Sequence, residues 1–179
     1  MILARQNIHF LDQALDLLDA LDDHLYCACD AHGHSCVGAH MRHVLDCYSC
    51  FLRGLDDGRI DYDARERNPE LEADWRVGQS AVRRIRADLE GLDEAERRRE
   101  VRVRVDAAAW GDVDPWTRST VGRELQFLLS HTVHHFALIA MTLRSLGFEP
   151  GRGFGVAPST LEHQGAPAGS PALSASHGA

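Results

Sequence analysis

The sequence predicts an all-α protein, an up-down four-helix bundle with a short β-hairpin inserted before its last helix. Three observations carry this: long stretches with apolar residues three and four apart, one short stretch with a period of two, and Gly- or Pro-bearing breaks between them. At 179 residues, 44% hydrophobic and 26% charged, the chain suits one domain with a sizeable core, or one domain with a tail.

After Ile8 the apolar residues recur at Leu11, Leu15, Leu18, Leu21 and Leu25, with Asp12, Asp16, Asp19 and Asp23 turned mostly outward. This predicts a first helix over 5–27. The segment CACDAHGHSC breaks the period, and Ser35 is the expected cap of a second helix over 36–55. Its stripe runs through Val37, Met41, Val44, Leu45, Tyr48, Phe51, Leu52 and Leu55. GLDDGRIDYDARERN, with two glycines and alternating charges, reads as a surface connection ending with Asn68 as cap and Pro69 in the first turn of a third helix. There Leu71, Trp75, Ala81, Val82, Ile85, Leu89 and Leu92 form the inner face, while Arg83, Arg84 and Arg86 with Asp88 and Glu90 make a solvated one.

Val101, Val103 and Val105 alternate with charged residues, the mark of a half-buried strand, and its hairpin partner is expected near 116–121. Ser119 or Thr120 then caps a fourth helix carrying Val121, Leu125, Leu128, Thr132, Ile139, Leu143 and Leu146, which Gly147 and Pro150 stop. GRGFGVAPST is expected to lie extended against the bundle, which spans 1–160. From Leu161 onward, 161–179 is small-residue low complexity and reads as a disordered tail, which discounts His163 and His177.

All 19 basic residues are Arg, against 27 acidic ones, and the net charge of -8 argues against a protein that coats nucleic acid or anionic membrane. No apolar run reaches membrane-spanning length, and aspartates stand where a signal peptide would be apolar, so a cytoplasmic protein is expected. The five cysteines (Cys27, Cys29, Cys36, Cys47 and Cys50) are an odd number without an export signal, so reduced thiols are expected.

Chemistry is sought in the histidines. In SHTVHHF, His131 and His135 are four apart, about 40° around a helix and about 6 Å along it, so both can point at one ion while His134 points elsewhere. A third donor from the second helix would complete a set. In GAHMRHVLDCY, His43 is nearer the stripe of Val44 and Tyr48, and His40 is nearer the helix start. Three nitrogen donors leave positions open for water or substrate.

The segments GAHMRHVLD, YDARERN, RELQFLLSHTVHHFALI and FGVAPST together resemble the DinB/YfiT-like family of metal-binding four-helix bundles, over roughly 5–160. That resemblance implies a divalent metal, Zn, Ni, Mn or Fe(II), on His43, His131 and His135. It also implies a thiol-dependent transferase or a small-molecule hydrolase, with a low-molecular-weight thiol among the candidate substrates. The alternative is a non-catalytic dimerising scaffold or stress-related binding protein with a structural or vestigial metal.

Glu124, two turns before His131, is a candidate general base or partner of an imidazole N–H; its bland role is that of an acid in a helix's first turn. Asp46, one turn from His43, has the same two readings. Tyr62, Arg65 and Arg67 on the connection would bind a substrate carboxylate or phosphate if that loop crosses the metal end. Cys47 is a candidate fourth ligand, though a buried free thiol is the preferred reading. Cys27, Cys29, His32, His34 and Cys36 invite a second metal site, but their CxC and HxH spacings differ from the CxxC pairs of zinc turns. No Glu-x-x-His, HExxH or GxSxG motif occurs, which excludes carboxylate-bridged di-iron, zincin and nucleophile-elbow chemistry.

Overall fold

The computed structural model describes residues 1–30, 33, 36–104, 114–163 and 165. Within them the chain is mostly helical, with one small sheet. The long elements are α1 (Ile2–Ala20), α3 (Val37–Asp57), α5 (Trp75–Glu90) and α6 (Val121–Ser145). α1 packs on α5 and α6, and α3 packs on the same two helices, so the consecutive helices α1 and α3 are not packing neighbours and the expected up-down order is not the one adopted. Phe10, Tyr26, Tyr48, Phe51 and Phe136 are the largest fully buried side chains of the core. Among the described residues no helix is long and apolar enough to cross a membrane.

The first predicted helix is broken. α1 ends at Ala20, and Asp22 caps the short α2 (Asp23–Cys27) by accepting from the Leu25 N–H at 2.8 Å. Such a side-chain acceptor satisfies an orphan helix N–H and competes with helix continuation, which a stripe of leucines does not reveal. The third predicted helix is broken in the same way. α4 (Glu70–Ala73) is followed by Asp74, whose carboxylate caps α5 through the Arg76 N–H at 2.8 Å.

The connection after α3 is not featureless. Gly58, at φ 73°, ends α3 in the left-handed region, and Arg59–Asp61 form β1, which pairs in parallel with β2 (Glu100–Arg104). β2 pairs antiparallel with β3 (Trp116–Thr120), so the expected hairpin is the larger part of a three-stranded sheet in the order β1-β2-β3. Ile60 is fully buried beneath β1 and Val101 and Val103 beneath β2. Val105 lies outside the described residues. Thr120 caps α6 by accepting from the Arg123 N–H. After α6, Phe154 stacks on Phe136 with centroids 4.8 Å apart, and Pro158–His163 form α7, so the region expected as tail from 161 begins inside a helix. Residues 166–179 lie outside the described ones.

The reduced-thiol expectation is overturned: Cys29 and Cys36 form a disulfide across an isolated antiparallel bridge just before α3. Cys36 itself stands as the cap residue of α3, whereas Ser35, the expected cap, lies outside the described residues. Cys27 is free and exposed, and Cys47 and Cys50 are free and buried.

Three helices are joined by a hydrogen-bonded chain in the core. Tyr48 on α3 donates its hydroxyl to Asn7 Oδ1 on α1 at 2.7 Å. Asn7 Nδ2 reaches the Leu3 carbonyl at 2.8 Å and the Leu125 carbonyl of α6 at 3.1 Å. The Thr132 hydroxyl of α6 has Tyr48 Oη at 3.1 Å and the Leu128 carbonyl at 2.7 Å. All three side chains are fully buried, so each bond replaces one that water made in the unfolded chain. α4 is brought onto α3 at Gly38, where a Cβ would sit 2.1 Å from the Glu72 carbonyl oxygen.

Tyr48→Phe leaves the Asn7 oxygen buried without a donor and is expected to cost about 1–3 kcal/mol, read as a lower urea midpoint at unchanged slope. Protein purified without reductant and then denatured should expose three titratable thiols, Cys27, Cys47 and Cys50, and five after reduction. Five before reduction would remove the disulfide.

Candidate metal centre

α3 and α6 pack side by side and each presents two histidines to the other. His43 Nε2 lies 3.0 Å from His131 Nε2, and His40 Nδ1 lies 2.9 Å from His135 Nδ1. One ring nitrogen from each of His43, His131 and His135 falls within 4.8 Å of the others, a set able to hold a metal ion. The His135 ring stands edge-on to both His43 and His131, with centroids 4.6 and 4.5 Å away. The His131–His135 spacing arises from helix geometry, since the two share a face at four residues apart, whereas the His43–His135 spacing is set by the packing of α3 on α6. His134 is exposed, with its ring edge against His135.

The donor chemistry fits. Burial, followed by the charge of His131 and of the nearby arginines, holds the His43 imidazole down at about 4. Burial and then the neighbouring His131 and His43 hold His135 at about 3. His131 and His40 are lowered as well, in both cases chiefly by burial. All four rings are therefore neutral near pH 7 and each keeps a lone pair. Nitrogens about 2.1 Å from a common ion in tetrahedral geometry stand about 3.4 Å apart. The 3.0 Å between His43 and His131 is already close to that, and small side-chain rotations close the rest.

The YDARERN connection does cross this end of the molecule. The Arg65 guanidinium is close enough to His43 and His131 to depress both, hydrogen-bonds the Cys47 thiol, and donates from Nη1 to the Tyr62 carbonyl at 2.8 Å. Arg67 points outward, and its backbone, at φ 51°, donates its N–H to Asp46. Asp46 is buried, with Arg42 Nε 4.0 Å away, and burial raises its carboxyl above the usual range. Cys47 is buried with its sulfur 3.7 Å from His131 Nε2, and burial pushes its thiol up to about 11.

Glu124 is buried and accepts from the Tyr62 hydroxyl at 3.0 Å and from the Ser119 hydroxyl. The Ser119 partnership has no sequence signal, since Ser119 reads there as a helix cap. Tyr62 packs on Phe127, and Phe127 stacks on the His131 ring with centroids 5.4 Å apart. The i, i+4 spacing of Phe127 and His131 was a signal available for this contact. Tyr62, Glu124 and Phe127 form one wall of a cavity of about 620 Å³ between the sheet and the start of α6, with Arg104, Arg118 and Ser119 on its other sides.

The cluster before α3 is not a thiolate site in this state, because Cys29 and Cys36 are joined to each other. His32 and His34 lie outside the described residues.

A family model described as DinB family matches residues 3–155. The chain is also similar to a protein of Rhizopus delemar named FK506-binding protein 5, at 29% identity over 104 residues, 58% of this chain and 27% of that one. It thus spans about a quarter of that relative's length. No solved structure matches.

The depressed imidazoles set a pH dependence. The unfolded chain takes up protons near the ordinary value of 6.5, whereas the folded form resists them until about 4 at His43 and about 3 at His135. Their contribution to stability is whole above 6.5 and is lost as pH falls toward those values. The melting temperature of metal-free protein should therefore drop between about pH 6.5 and pH 4, and a His43→Gln/His135→Gln double variant should drop less. Equal slopes in the two proteins would show that the folded rings take up protons normally.

Proposed function

This chain belongs to the DinB family, and from that premise we propose that it is a four-helix bundle of DinB/YfiT type acting as a cytoplasmic, metal-dependent enzyme on a small molecule. The reaction class is thiol-dependent transfer, with a low-molecular-weight thiol as co-substrate, or hydrolysis. One observation carries the reading: three neutral imidazoles from two separate helices gather within 4.8 Å. His43, His131 and His135 would hold one Zn, Ni, Mn or Fe(II) ion. When bound, the ion supplies Lewis acidity.

The remaining work belongs to the chain's own side chains. Arg65, half-buried and beside the rings, presents a planar cation suited to a carboxylate, phosphate or thiolate of the substrate. Arg67, exposed on the same loop, adds positive charge at its rim. Tyr62 keeps its proton, because burial and then the Glu124 carboxylate raise it, and Glu124 holds that hydroxyl in place. In this reading Tyr62 and Glu124 store and accept a proton beside Phe127, which covers one face of His131 against water. Asp46 anchors the loop through the Arg67 N–H and stands as a second proton acceptor. The net charge of -8 argues against nucleic acid or an anionic membrane as partner, and a second copy of the chain is the remaining macromolecular candidate.

A second reading is favoured by Cys47, whose sulfur lies 3.7 Å from His131. A thiolate closing the fourth position makes the ion structural and the protein a dimerising scaffold or stress-related binding protein.

Untagged protein should carry about one divalent ion per chain, measured by elemental analysis, and His131→Ala should lose it while keeping its helical content. The Co(II) form should lack a sulfur-to-cobalt charge-transfer band, and Cys47→Ser should keep the ion. A thiolate band that vanishes in Cys47→Ser selects the scaffold reading. Folded wild-type protein that takes up no metal sinks both.

A further inference from the structure

We propose that His40 is a positioning residue of this centre: it donates nothing to the ion and instead holds the ring and tautomer of His135. The inference rests on the metal-centre reading above. The four histidines between α3 and α6 make two rungs, His43 with His131 and His40 with His135, as nitrogen pairs 3.0 and 2.9 Å apart. The numbering runs in opposite senses along the two helices, so the rungs follow from antiparallel packing and His40 meets His135 one turn along from the other pair.

Their roles differ. His43, His131 and His135 gather within 4.8 Å, and His40 is outside that group. His40 instead meets His135 nitrogen to nitrogen, with ring centroids 5.1 Å apart at 47°. A neutral imidazole carries one N–H and one lone pair, so one Nδ1 donates and the other accepts. With the proton on His135 Nδ1 and the lone pair on His40 Nδ1, His135 is left with Nε2 as its free donor atom. A flip of the His135 ring would put Cδ2 where Nδ1 stands and break the contact. Metal-binding histidines generally need such an outer acceptor, and a carboxylate or carbonyl usually fills the place. Here a second imidazole does so.

Zinc affinity of untagged apoprotein, measured by competition with a chromophoric chelator, tests this. His40→Ala should weaken zinc binding by about 10- to 100-fold, yet still take one ion per chain at saturation with the Co(II) spectrum unchanged in shape. His40→Gln, whose amide oxygen accepts from the His135 N–H, should recover most of the affinity with the apoprotein melting temperature unmoved. His40→Phe keeps the ring volume without an acceptor; it should match the alanine variant, and it carries the test if that variant fails to fold. Unchanged affinity in His40→Phe overturns the proposal. A lost stoichiometric ion or a recast Co(II) spectrum also overturns it, by making His40 a ligand. Wild-type protein without zinc affinity would bring down the metal-centre reading itself, a result separable from the other two.

Discussion

The buried chain of hydrogen bonds through Asn7, Tyr48 and Thr132 sets the register on which everything else depends. Apolar side chains tolerate sliding, because one leucine replaces another at little loss. Hydrogen bonds between buried groups do not, since a displaced donor finds no water. Tyr48 stands just beyond His43 on α3, and Thr132 directly follows His131 on α6. A slip of one turn between those helices would move the imidazoles about 5.4 Å past each other, beyond the reach of one ion, and would strand three polar groups in the core. The polar core and the histidine cluster are thus two consequences of a single helix alignment.

Electrostatics gives the centre its character. Several imidazoles crowd one half-buried space, with Arg65 beside them, and every one of these neighbours discourages a positive charge. The rings consequently remain unprotonated, which suits them to bind a cation. The same guanidinium also opposes a divalent ion. The nearby carboxylates do little to relieve this: Glu124 is taken up by Tyr62 and Ser119, and Asp46 by the Arg67 backbone. An anionic ligand arriving with or after the ion would balance the charge, which gives a physical reason to expect carboxylate, phosphate or thiolate chemistry at this end of the molecule.

What was legible beforehand followed from periodicity and from residue chemistry. The apolar stripes of α3 and α6 have nearly their expected bounds, and the valines of β2 are buried and alternate with exposed charged residues. The errors were of a different kind. The apolar stripes extend beyond α1 and α5 because a carboxylate cap inside an amphipathic stretch stops a helix without disturbing its stripe. β1 was passed over because its single buried side chain, Ile60, is too little for a pattern, and its existence depends on β2, about 40 residues later. The Cys29–Cys36 bond was missed because an odd count of cysteines says nothing about which two are neighbours in space.

The amino-acid sequence alone determined that the chain would be chiefly helical, which faces would be buried, and that His131 and His135 would share a direction, since all three depend on spacing along one helix. Only the tertiary structure decided that His43 joins them while His40 leans on His135, that Arg65 turns inward and Arg67 outward, and that Glu124 is held by Tyr62 and Ser119. Those outcomes depend on the rotation and height of one helix against another and on the path of a loop. Such quantities are set by packing and buried hydrogen bonds between distant segments, and no local pattern encodes them.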